Sequence, residues 1–64
     1  MQPHEQRVVD EKNDLDIKIK ALCAFFDNSI FKSLPEISQE RLYVQHQVMV
    51  TYSTVLGSRI NDFK

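Results

Sequence analysis

Glycine occurs once in this chain, proline twice, cysteine once and tryptophan not at all. So few glycines and prolines leave little room to turn, which favours long helices over a series of short strands. One cysteine, Cys23, cannot close an intramolecular bridge; a disulfide scaffold is excluded, and a reducing, cytoplasmic compartment fits. With Leu22, Ala24, Phe25 and Phe26 around it, the thiol is expected to be buried as a small hydrophobe. His4 and His46 lie far apart and lack the i, i+4 spacing of a helical metal pair, so neither zinc nor any other cofactor is expected.

Other absences narrow the function. There is no Gly-rich phosphate loop, no Cys/His dyad at usable spacing and no triad in a supporting context. Asp14 and Asp16 point to different sides of a helix and make no carboxylate pair. Catalysis is therefore not expected. A net charge of −1 and a pI near 6.0 supply no basic field for duplex nucleic acid. The opening MQPHEQR carries Glu5 and no apolar run, so it does not read as a secretory signal. No segment is apolar enough to suggest membrane insertion.

What the chain does have is helical periodicity. Its 64 residues predict one domain, 1–64, folded as an all-α antiparallel helical hairpin: two long helices joined by a short helical turn. Pro3 suits a first helical turn, and from there to about Phe26 the residues Val8, Leu15, Ile19, Leu22 and Phe26 form one stripe, with Lys12 its only polar member. Asp10, Glu11, Asp14 and Asp16 form the solvated side, with Lys18 at ion-pair spacing from Asp14. Asp27, Asn28 and Ser29 break the pattern; SIFKS reads as a single helical turn pinning Ile30 and Phe31 to the core. Ser33-Leu34-Pro35-Glu36 predicts a capping box for a second helix running from about Leu34 to Asn61. Leu42, Met49, Leu56 and Phe63, with Tyr52 and Ile60, are expected to pack on the first helix, and His46 to sit beside them with its ring edge near solvent.

Seventeen uncharged residues separate Arg41 from Arg59, in a chain that is 27% charged. A second apolar stripe, Ile37, Val44, Val48 and Val55, has no partner inside a hairpin, so Val44, Val48 and Val55 are expected to meet another copy in a homo-oligomer. A chain this short buries a small core, which points the same way. Gly57, inside the helix, marks either a close approach or fraying near the end. Gln47, Thr51, Thr54 and Ser58 add a line of neutral hydrogen-bonding groups suited to a polar ligand.

RVVDEKNDLDIKIKALCAFF, FKSLPE and ERLYVQHQVMVTYSTVLGSRI together resemble very short phage-encoded helical-hairpin proteins, over about Arg7 to Ile60. More distantly, TYSTVLGSR is similar to the last-helix segment of phage anti-CBASS sponge proteins, helical oligomers that bind cyclic oligonucleotide alarm signals. That resemblance implies ligand contacts from Thr54 and Arg59, with Ser58 and Arg7 as further candidates, although the first helix lacks a tyrosine. It implies a non-catalytic protein of the infected host's cytoplasm that sequesters cyclic di- or trinucleotides. The residues leave a second reading open: a small protein–protein inhibitor or adaptor gripping a host protein through the valine stripe.

Overall fold

Val8, Lys12, Leu15, Ile19, Leu22 and Phe26 recur at alternating steps of four and three, and so do Leu42, His46, Met49, Ser53, Leu56, Ile60 and Phe63. That spacing gives each helix one narrow seam and lets the two lie antiparallel. The computed structural model describes residues 1–63 and has this architecture: α1 (Pro3–Phe25), α2 (Ser29–Ser33) and α3 (Glu36–Asn61), with α1 packed along α3. The molecule measures 46 × 15 × 13 Å, two helices wide, so little of it can leave solvent. Among the described residues only Val8, Phe31 and Leu56 are buried hydrophobics.

The turn end holds most of the aromatic packing. Phe31, 2% exposed, lies 5.8 Å from Phe25, 5.1 Å from Phe26 and 5.4 Å from Tyr43, ring centre to ring centre. His46 is half-buried with its ring edge-on to Phe26 at 5.5 Å, as its place in the stripe predicted. At the open end, His4 meets Phe63 in an edge-to-face pair at 6.5 Å. Ile30, expected in the core, is exposed: a helix of one turn has one inward position, and Phe31 takes it.

The capping box does not form. Ser33 is the last residue of α2, and its hydroxyl donates to the Ile30 carbonyl at 2.7 Å. Pro35 holds Leu34 extended (φ −68°, ψ 152°) and is itself extended, so two residues of non-helical chain separate Ser33 from α3. Gln39 closes the turn instead, its side-chain amide donating to the carbonyls of Leu34 at 2.9 Å and Lys32 at 3.3 Å. Asn28 is the side-chain cap of this region, accepting from the Ile30 amide at 2.8 Å.

Three further expectations need correction. Tyr52 lies outside the seam, 43% exposed, and Ser53 is buried in its place. Cys23 is exposed, because the inward positions Ile19, Leu22 and Phe26 leave it one residue off the stripe. Asp16 is half-buried against α3 rather than on the solvated side, and the ion pair on α1 joins it to Lys12, not Asp14 to Lys18.

Candidate functional site

Two polar arrangements flank the apolar seam, one on each side. On the first, Lys12 Nζ donates to Asp16 Oδ2 at 2.8 Å and to Ser53 Oγ at 3.1 Å, while the Ser53 hydroxyl donates to Asp16 Oδ1. Each member of this triangle has its hydrogen-bonding partners, which a polar group placed between helices requires. Gly57 belongs to it sterically: a Cβ there would stand 3.3 Å from Lys12 Cε, so the glycine lets the lysine stem cross α3. The close approach expected at Gly57 is made by the chain's own lysine.

Hydrogen bonds from Lys12 and then Ser53 hold the Asp16 carboxyl below its ordinary value of 3.8. A group whose folded pKa is depressed stabilises the fold fully above the unfolded value and stops doing so as acid titrates it. Stability should therefore fall below about pH 4 through Asp16, and Asp16→Asn should flatten that acid limb. Melting temperatures of both proteins between about pH 7 and pH 3 check this; parallel curves would show that the triangle adds nothing.

The opposite side carries the open surface. Arg7, Asp10, Glu11, Asp14, Leu15 and Lys18 of α1, with Tyr52 of α3, line a groove of about 430 Å³. Tyr52 also walls a neighbouring hollow of about 370 Å³ with Gln47, Val48 and Thr51. The Tyr52 hydroxyl donates to Glu11 Oε2, fixing the ring upright between the two depressions. Three carboxylates against two cations line the larger groove, so a polyanion bound there needs additional positive charge.

Of the sequence-derived candidates, Arg7 lines this groove directly. Arg59 is exposed and stands two helical turns, seven residues, from Tyr52, so it projects from the same side of α3. Arg41, Val48 and Val55 share that side by the same periodicity. Thr54, five residues from Arg59, points about 140° away from it, and Ser58 falls with Thr54 on the face of α3 turned from α1. The Thr54 hydroxyl donates to the Val50 carbonyl and the Thr51 hydroxyl to that of Gln47, both at 3.0 Å. Within one hairpin, then, Arg7 and Arg59 share a side while Thr54 and Ser58 occupy another. Sequence reasoning missed Lys18 as a groove residue and set Tyr52, a candidate for stacking on a base, in the seam instead. The strict four–three alternation through Met49, Ser53 and Leu56 was the signal that puts Tyr52 outside the seam.

Among the described residues no group of three His, Cys, Asp or Glu side chains could hold a metal ion, and no helix is long and apolar enough to cross a membrane. Fold and site define a small all-α hairpin with an aromatic wall, cationic side chains and open grooves on one side. The chain belongs to the Sequestin family, whose model matches residues 2–62. It is 34% identical, over 64 residues and 100% of both chains, to an uncharacterized 7.5 kDa protein in the denB-rIIB intergenic region of Enterobacteria phage T4. No solved structure matches it. The family name denotes sequestration rather than catalysis.

Proposed function

We propose that the protein sequesters a cyclic oligonucleotide immune signal, without cleaving it, in the cytoplasm of a phage-infected bacterium. The observation that carries this reading is Tyr52: an exposed aromatic ring between two grooves, with Arg7 and Lys18 in one of them and Arg59 on the same side of the hairpin. A nucleobase stacks on such a ring whatever its identity, gaining roughly 1–3 kcal/mol. Arginine forks hold phosphate oxygens through paired, charge-assisted hydrogen bonds. Tyr52 on α3 supplies the tyrosine that the first helix lacks, beside Lys18 of α1. Thr54 and Ser58, on the outer face, would reach such a ligand only from a neighbouring copy, which is consistent with binding at subunit junctions of a homo-oligomer.

Calorimetric titration with a panel of cyclic di- and trinucleotides tests the reading, followed by chromatography of the released ligand, which should be unaltered. Arg59→Ala should weaken binding ten-fold or more while leaving helix content unchanged; an exposed side chain at this position carries no core packing within the hairpin. A charge-assisted hydrogen bond contributes roughly 1.5–3 kcal/mol, enough for that factor. If no cyclic nucleotide binds the unsubstituted protein, the sequestration reading is wrong. The exposed Val44, Val48 and Val55 stripe then favours the second reading, an inhibitor or adaptor that grips a host protein.

A further inference from the structure

The side of α3 that carries Tyr52 has a symmetry of its own. Along it run Arg41, Val44, Val48, Tyr52, Val55 and Arg59, and all four of the uncharged residues are substantially exposed. The two arginines are 59 − 41 = 18 positions apart, which at 1.5 Å per residue is about 27 Å of helix. The charged residues just outside this stretch are acidic: Glu40 precedes Arg41 and Asp62 lies one turn beyond Arg59. Each end of one apolar strip therefore holds a cation and an anion. A lone hairpin leaves the strip bare, and the whole hairpin buries only three hydrophobic side chains among the described residues.

We infer that a second copy of this chain covers the strip, α3 against α3 and antiparallel, about a two-fold axis passing between Thr51 and Tyr52. A two-fold interface must be self-complementary, with residue i meeting j and j meeting i. Setting the axis there places Val48 on the partner's Val55 and Val44 beside the aliphatic stem of the partner's Arg59. It also sets Arg41 opposite the partner's Asp62, and Arg59 within about one turn of the partner's Glu40. Every cation at the ends of the strip then has a carboxylate across the interface, twice over by symmetry. Shifting the axis one turn toward the N-terminus would instead set Arg41 opposite the partner's Val55, with no carboxylate in reach. Long, exposed and uncharged between its ends, the strip suits a copy of itself better than a partner with a charged helix. Because Tyr52 lies next to the axis, the groove beside it and the partner's groove come together there. This deepens the sequestration reading only by bringing two grooves and two Tyr52 rings to one place. The interface itself is measurable without any ligand.

Charge exchange tests the register. Arg41→Glu and Asp62→Arg, made singly, should each raise the dissociation constant about ten-fold, since two symmetry-related exposed pairs change from attraction to repulsion. Made together they should restore it to within about three-fold of the original. Asp62→Arg is informative because a cation suits a helix C-terminus, so lost assembly could not be ascribed to a weakened helix. Sedimentation equilibrium without nucleotide, with helix content followed by circular dichroism, supplies the numbers. A double variant no better than the worse single one, or a monomeric unsubstituted protein at high micromolar concentration, overturns the pairing. Restored assembly in a protein that binds no cyclic nucleotide would support the interface while removing the sequestration reading.

Discussion

Phe31→Ala should destabilise the protein by about 3–5 kcal/mol, the range for removing a fully enclosed aromatic ring. Phe31 is the one side chain of the five-residue α2 that enters the core, and its ring touches both long helices, through Phe25 and Phe26 on one and Tyr43 on the other. Edge-to-face pairs of this kind contribute beyond the area they bury. An alanine there leaves a hole that the neighbours cannot fill, because they are anchored on two different long helices. α2 would lose its only inward anchor, and the aromatic end of the hairpin would open. Urea unfolding followed by circular dichroism, at one fixed protein concentration because self-association adds to apparent stability, gives the value. A cost under about 1 kcal/mol would mean the turn is not docked as described.

The parts of this fold that the sequence announced are those fixed by local chemistry or by an unbroken period. α1 was legible over nearly its full length because Val8, Leu15, Ile19, Leu22 and Phe26 repeat on one side and Pro3 starts it. α3 was legible because nothing between Glu36 and Asn61 interrupts it except one glycine. What misled was hydrophobicity taken residue by residue. Tyr52 looked like core and Ser53 like surface, yet the period requires the reverse. Ser53 tolerates burial because Lys12 and Asp16, more than thirty-five positions away in sequence, satisfy its hydroxyl, and no local rule anticipates that. The same applies to Gly57, whose purpose is visible only once Lys12 is seen crossing it. Ser33 failed as a cap for a local reason that could have been read: a proline two residues on keeps the intervening chain extended.

The site was legible in its cations and not in its grouping. Arg7 and Arg59 lie fifty-two positions apart and come to one side because the helices are antiparallel. Thr54 was paired with Arg59 through the resemblance of TYSTVLGSR to a sponge protein's last helix, although five residues of helix turn a side chain away. The neutral stretch between Arg41 and Arg59 combines three surfaces at different angles: the seam against α1, the outward hydroxyls, and the bare strip of valines with Tyr52. Charge in the seam would disturb its packing on α1; the other two surfaces are uncharged where the proposed ligand and second copy would lie.

Val48→Glu should abolish self-association, leaving a species of 7.5 kDa in light scattering at micromolar concentration. Val48 is 62% exposed in the single hairpin, so the substitution removes no core contact, and glutamate is a better helix former than valine. An isolated hairpin would be indifferent to it. Under a second copy, the carboxylate would lose its water against Val55, where the nearest cation, the partner's Arg59 about one turn away, is already set against Glu40, and a two-fold interface would contain it twice. Burial of an unpaired charge costs several kcal/mol, so the dissociation constant should rise by at least about a hundred-fold. Helix content should be lower in the variant as well, since the hairpin alone encloses so few side chains. Ile17 supplies the comparison: it is 67% exposed but lies on the outer side of α1, nine residues and half a turn from the inward Val8. Ile17→Glu adds the same charge to the same protein and should leave the mass unchanged. Equal masses for the two variants would show that the valine strip does not carry the assembly.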